Sequence, residues 1–348
     1  MNNQTLYSKA CGAFFGLSIG DSLGFPAMYH RTTILPTKRR NRLWDFSKQT
    51  DEYRINKFSL PFTHAMDESI LDFSGTDDTE FAMISALMLL ECTHFSEDEF
   101  FEQWKNLVVN HESEIWSGIS ERSSIENIKK GFLPPATGND NPHHFDDGAI
   151  ARAVPIGIKF HGEPEKAAFI TEKMASITNA EDGIYAAKAM AASIALAVDG
   201  ASIREIVDEG IKYIPSNTWL FRKINQALSI LESVNNNGFA AVPLWNNQIV
   251  NSIYNYGNIA PETLAVAYAI FLAAEGDFEK SIMLSLMLPK QADSMPAMVG
   301  ALSGAMNGMN VIPKTWIESN DTLKGFCIPH LKGVTITDTV KRLIDKKE

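Results

Sequence analysis

The feature that most limits the folds open to this chain is residues 81–90, FAMISALMLL, which carry apolar side chains on nearly every helical face. Such a helix has no face to give to water, so it belongs at the centre of a helical assembly. Directly before it stand Ser74-Gly75-Thr76-Asp77-Asp78-Thr79-Glu80. Thr76 or Asp77 can cap the helix, and Glu80 follows Asp77 at the capping-box spacing. One cap suffices for a helix start. The second carboxylate is left over, and two acids at the mouth of a buried helix point to a site.

The rest of the chain reads as more helix. Residues 4–20 suit a helix whose Ala10, Gly12, Ala13, Gly16 and Gly20 permit close backbone approach. Gly20-Asp21-Ser22-Leu23-Gly24 then reads as a tight turn, with Asp21 either capping it or contributing to the site. Helical spacing returns at 96–108, at 123–130 and, beyond Gly148, at 149–160, 163–177, 181–198, 203–214, 219–234, 261–274 and 278–288, with Pro155 expected as a kink. The longest stretch of period two is 333–337, and no repeat of fixed period exists. The expected fold is all-α, a compact single domain of many packed helices spanning 1–348.

Two stretches stand outside that pattern. Residues 29–73 hold Lys38, Arg39, Arg40 and Arg42, then Trp44 and Phe46. They read as a solvated loop with an aromatic anchor, or as a lid-like insertion whose arginines meet an anionic ligand. In residues 134–148 (PPATGNDNPHHFDDG) prolines and glycines argue against both helix and central strand. What remains is a loop dense in Asn139, Asp140, His143, His144, Asp146 and Asp147, all able to hydrogen-bond a ligand. HH followed by DD lacks the helical spacing of a zinc site.

The formal net charge of −11 argues against a nucleic-acid backbone as partner and favours divalent cations at clustered acids. Cys11, Cys92 and Cys327 lie far apart without a CxxC pair, so they are expected reduced and buried. No apolar run reaches the ~20 residues that span a bilayer, and the N-terminus lacks signal-peptide features. No membrane partner is expected, and the expected location is the cytoplasm.

A second helix start resembles the first. Gln291-Ala292-Asp293-Ser294-Met295-Pro296 leads into residues 297–305, where Gly300 and Gly304 lie four apart. If Asp77, Asp78 and Asp293 converge, their repulsion calls for a counter-ion. Oxygen-only donors, with Thr76 and Ser294 as hydroxyl ligands, favour Mg²⁺, Mn²⁺ or Ca²⁺. The alternative is two ordinary capped helices that never meet.

Residues 12–24 (GAFFGLSIGDSLG), 75–79 (GTDDT) and 293–305, in that order, resemble the signatures of the ADP-ribosylglycohydrolase family, which includes dinitrogenase-reductase-activating glycohydrolase. Residues 147–155 resemble a fourth, NGxxMRxxP. The resemblance implies an all-α fold with a binuclear Mg²⁺ or Mn²⁺ centre that hydrolyses the bond between ADP-ribose and a protein side chain or small acceptor. It implies Thr76, Asp77, Asp78, Asp293 and Ser294 as metal ligands, with a metal-bound water near the catalytic Asp77 or Asp78 attacking the anomeric carbon. Asp21, Asn139, Asp140, His143, His144, Asp146, Asp147, Gly148 and Arg152 would then lie along the ADP-ribose.

The sequence also departs from the family pattern. Gln291 stands where the family has an acid, Met28 where many members have a glutamate, Asp147 for asparagine, and Thr178-Asn179 for threonine-histidine. Two other readings follow. One is a hydrolase of another glycosidic or nucleoside-like molecule, with Asp140, Asp146 or Asp147 supplying carboxylate chemistry. The other is a non-catalytic relative that binds ADP-ribose or an ADP-ribosylated protein.

Overall fold

The computed structural model describes residues 3–27, 73–250, 252, 257–288, 290–292 and 294–346. Met28, the basic cluster Lys38–Arg42 with Trp44 and Phe46, and Asp293 therefore lie outside the described residues, as does nearly all of the expected lid. The helices are α1 (Asn3–Ala27), α2 (Asp77–Glu91), α3 (Glu97–Leu107), α4 (Ile119–Lys129), a single turn α5 (Ala136–Asn139), α6 (Gly148–Lys159), α7 (Pro164–Ala175) and α8 (Asp182–Asp199). They continue with α9 (Ile203–Lys212), α10 (Trp219–Ser233), α11 (Gly238–Trp245), α12 (Ala260–Ala273), α13 (Phe278–Leu286), α14 (Met295–Asn307), α15 (Lys314–Asn320) and α16 (Ile336–Asp345). Extended pairing among the described residues is limited to the isolated bridges Asp146–Ile259 and Thr322–Thr335. The fold is all-α.

Helices with apolar residues all round occupy the middle, as their composition requires. α2 is buried from Asp78 through Ala86, and all of α12 except Leu272 is buried. Amphipathic helices such as α3, α9 and α16 lie outside them, each with charged residues among its exposed positions. α3 opens with a capping box: the Ser96 hydroxyl accepts from Glu99 N, and the Glu99 carboxylate accepts from Ser96 N. Cys11, Cys92 and Cys327 are free thiols in the interior, and burial pushes Cys11 and Cys92 up to about 12.

α1 corrects one expectation. It runs from Asn3 straight through the anticipated turn to Ala27. Its glycines serve contact with α14 instead of chain reversal. A Cβ at Gly12 would lie 2.2 Å from the carbonyl oxygen of Gly304, and one at Gly16 would lie 2.0 Å from that of Gly300. At Gly20 and Gly24 the corresponding oxygens are those of Pro296, at 2.0 Å, and Ala292, at 1.9 Å. Each four-residue step forward on α1 meets a four-residue step backward on the partner, so the two helices lie antiparallel with their backbones touching. Gly300 and Gly304 reciprocate from the other side, against the carbonyls of Gly16 and Gly12.

Gly16→Ala therefore forces backbone apart on a face with no flexible side chain to yield. We expect a loss of about 1–3 kcal/mol, the range for overpacked cores. Chemical denaturation would show it, and an unchanged midpoint would contradict the close contact.

Candidate functional site

The two acid-and-hydroxyl helix starts are both held by the last turns of α1. Asp21, buried on that helix, takes hydrogen bonds from the start of α2. Its Oδ2 accepts from Thr76 N (2.6 Å), Thr79 N (3.0 Å) and Thr79 Oγ1 (2.6 Å), and its Oδ1 accepts from Thr76 Oγ1 (2.5 Å). The cap of α2 is thus an aspartate from another helix. Thr76 occupies the N-cap position but makes no side-chain cap bond. Burial pushes the Asp21 carboxyl up to about 6, against the pull of these four donors.

Glu80 does not close a capping box either. Its carboxylate accepts from the backbone N–H groups of Phe326 (2.8 Å), Cys327 (2.9 Å) and Ile328 (2.6 Å). Burial raises it to about 7 while those three donors draw it down. Asp77 and Asp78 stand at the same helix mouth, in the first turn of α2. Asp77 is half-buried and Asp78 buried, and Thr76 Oγ1 lies 3.2 Å from Asp77 Oδ1.

The start of α14 repeats the arrangement. Ser294 is its N-cap residue and also lacks a side-chain cap bond. Its hydroxyl points instead to Asp147 Oδ1, at 3.4 Å. Asp147 Oδ2 lies 2.6 Å from the hydroxyl of Thr263 on α12, which also lies 2.9 Å from Gln291 Oε1. That hydroxyl has one hydrogen and serves one of the two acceptors at a time. Gln291 Nε2 donates to Glu262 Oε2 (2.8 Å), and Lys290 Nζ donates to the same oxygen (2.9 Å) and to the Val250 carbonyl. Burial lifts Glu262 to about 7, and Lys290 opposes the shift.

Glu262, Thr263 and Lys290 were not singled out from the sequence. Pro261-Glu262-Thr263 before an apolar, alanine-rich helix is nevertheless a third acid-and-hydroxyl helix start, so the signal was there. Glu121 was missed for a different reason, since nothing around it in sequence marks it out.

The loop before α6 divides into exposed and interior residues. Asn139 and Asp140 are exposed, His144 and Gly148 are half-buried, and His143, Asp146 and Asp147 are buried. One turn of it, α5, is helical in spite of its glycine and the prolines before it. His143 Nδ1 lies 3.5 Å from Asp146 Oδ2, and Asp146 Oδ1 accepts from Gly148 N (2.8 Å). Arg152 is buried in internal contacts: Nη1 to Glu121 Oε1 at 2.5 Å, Nη2 to Asn179 Oδ1 at 3.0 Å and to the Thr178 hydroxyl, with its guanidinium 5.4 Å from the Trp104 ring. Thr178-Asn179 thus anchors Arg152, and Asn179 Nδ2 also donates to the carbonyls of His144 and Asp146. Glu121 is pushed up chiefly by burial and held down by Arg152.

The donor chemistry at the two helix starts fits a hard cation unevenly. Thr76 spends its hydroxyl hydrogen on Asp21, which leaves its oxygen lone pairs for a ligand role beside Asp77 and Asp78. Gln291, by contrast, is neutral and tied to Thr263 and Glu262. Among the described residues, which omit Asp293, no three His, Cys, Asp or Glu side chains form a metal cluster, and that covers His143, His144, Asp146 and Asp147.

A family model described as ADP-ribosylglycohydrolase matches residues 2–346. The chain belongs to this family. An uncharacterized protein of Archaeoglobus fulgidus is 28% identical over 248 residues, covering 70% of this chain and 74% of its own length. ADP-ribosylarginine hydrolase Tri1 of Pseudomonas putida is 23% identical over 328 residues, covering 89% of this chain and 73% of its own. Among solved structures, a chain of an ADP-ribosylglycohydrolase-related protein complex superposes with a TM-score of 0.60 at 19% identity, with 98% of each chain covered. Membership supports hydrolysis of ADP-ribosyl bonds as the general activity and an ADP-ribose-containing substrate. No described helix is long and apolar enough to cross a membrane.

Asp21→Ala removes all four bonds that fix the start of α2. We expect it to cost at least about 2 kcal/mol, above the usual loss of one cap because two hydroxyls and two backbone donors lose their partner. Urea denaturation in EDTA isolates this from any metal effect. A loss below about 0.5 kcal/mol would mean that the cap is dispensable.

Proposed function

We propose that this protein is a metal-dependent hydrolase that cleaves an ADP-ribosyl N- or O-glycosidic bond, with Mg²⁺ or Mn²⁺ as the cation. The observation that carries the reading is the pairing of the helix starts. Thr76 and Ser294 both sit at N-cap positions without capping, and each directs its hydroxyl to an acid from another element, Asp21 or Asp147. Residues that give up an ordinary cap at two neighbouring helix mouths have another use, and oxygen donors of this kind suit a hard divalent ion.

Thr76, Asp77 and Asp78 would hold the ion from α2. Ser294, with Asp293 beside it in sequence, would approach from α14. When bound, the cation supplies Lewis acidity that orients the ribose and acidifies a water. Asp77, the more accessible acid of the pair, takes the proton as the water oxygen bonds to the anomeric carbon. The bond from that carbon to the acceptor breaks, and the acceptor leaves with the proton that Asp77 took from the water.

The ADP-ribose would lie along the loop before α6, where Asn139, Asp140, His144 and Gly148 are accessible. His143, Asp146, Asp147 and Arg152 would hold that surface from behind. The name of the Pseudomonas putida relative makes arginine the first acceptor to test.

The purified protein with Mg²⁺ or Mn²⁺ is expected to release ADP-ribose from an ADP-ribosylated protein, and EDTA should abolish the release. Asp77→Asn and Asp78→Asn should each lower the rate by at least about a hundredfold, since losing even an outer partner of a metal site costs 10–100-fold. Release that is indifferent to EDTA and to both substitutions would overturn the metal-dependent mechanism. Tight ADP-ribose binding with no release from arginine, serine or O-acetyl linkages would instead favour a binding role.

A further inference from the structure

We infer that the centre is mononuclear: one divalent cation at Thr76, Asp77 and Asp78, with the buried ammonium of Lys290, acting through Glu262 and Gln291, in place of a second. This rests on the metal-dependent reading above and specifies the number of ions.

Gln291 stands where the resemblance to the family implies an acid. Its side chain is fully buried and bridged at both ends, with Oε1 at the Thr263 hydroxyl and Nε2 at Glu262 Oε2. A carboxamide offers no negative charge, and here its nitrogen is spent as a donor. The carboxylate it faces is already matched, because Lys290 Nζ sits 2.9 Å from the same oxygen and is anchored by the Val250 carbonyl.

Glu262 Oε1 is buried and without a hydrogen-bond partner. Among the described residues it is a carboxylate oxygen of this network that a second cation could still seek. The ammonium on the other oxygen of the same group opposes that, since two cations on one buried carboxylate repel at low dielectric. Asp147 borders this network at Thr263, whose single hydroxyl hydrogen goes either to Asp147 or to Gln291. Lys290 neutralises the buried acid that a second ion would otherwise have to neutralise, and it supplies no open coordination position.

The test is to count Mn²⁺ bound to the full-length chain after gel filtration and to record its electron paramagnetic resonance. We expect one Mn²⁺ per chain with the six-line signal of an isolated ion. Gln291→Asp should raise the count to two and give the signal of an exchange-coupled pair. Two coupled ions in the wild type would overturn the inference and leave the proposed hydrolase standing. No bound Mn²⁺ would overturn the metal-dependent reading and this inference with it. A Gln291→Asp variant that folds, as circular dichroism would show, yet still binds one ion would overturn the role given to Gln291. Where that variant does not fold, the wild-type count and coupling decide.

Discussion

The contact between α1 and α14 is the constraint on which the other features depend. Two helices usually pack 8–10 Å apart, with side chains between them. Here glycine on one backbone meets carbonyl oxygen on the other at successive turns, from Gly12 against Gly304 to Gly20 against Pro296. Such a contact has little slack. A slide of one or two residues would bring side chains against carbonyls, so the relative height of the helices is set to within a turn. That fixes the start of α14 at the level of Asp21. Asp21 in turn fixes the start of α2 through Thr76 and Thr79. Two helix mouths far apart in sequence are thereby brought to the same few residues of α1.

Buried carboxylates recur in this structure, and each is offset by a different device. Asp21 takes four donors at a helix start, Glu80 takes three successive backbone N–H groups, and Glu262 takes an ammonium and an amide. Burial alone would drive all three towards the neutral acid. The first two solutions use backbone donors that the fold would otherwise have to satisfy by other means, so they tie chain segments together as well as holding charge. Glu80 fastens residues 326–328 onto α2, and Asp21 fastens α2 onto α1. Glu262 is the exception, because its partners are both side chains.

The legible parts of the sequence were those in which local pattern and distant packing demand the same thing. The apolar all-round segment at 81–90 could only be a central helix, and 261–274, read for its helical spacing, forms a helix buried at all but one position. The illegible parts were those in which a residue serves a partner far along the chain. Gly20-Asp21-Ser22-Leu23-Gly24 has the composition of a turn, yet its glycines are fitted to Pro296 and Ala292 and its acid to Thr76. Glu80 had capping-box spacing, but the donors at 326–328 lie about 250 positions away and outcompete the local one. Arg152 carried a family motif and reads naturally as a ligand contact, whereas Glu121, Thr178 and Asn179 occupy its guanidinium. The likeness of the two helix starts, by contrast, could be read from composition, and their N-cap residues Thr76 and Ser294 both forgo a side-chain cap bond.

The two halves of the candidate centre differ in what a single substitution can do to them. Asp21, Thr76 and Thr79 form a closed set whose donors and acceptors balance without reference to α14. The other half runs through Thr263, whose single hydroxyl hydrogen cannot serve Asp147 and Gln291 at once. A glutamate at 291, isosteric with the glutamine, would place two carboxylates 2.8 Å apart, at the separation now spanned by the Gln291–Glu262 hydrogen bond. At that distance one of them must take up a proton or a cation must intervene. Gln291 resolves the conflict by donating to Glu262 with its nitrogen and facing Thr263 with its oxygen, a bridge that no carboxylate can make. In this chain Gln291 and Glu262 with its lysine are therefore one chemical solution, matched within the same network.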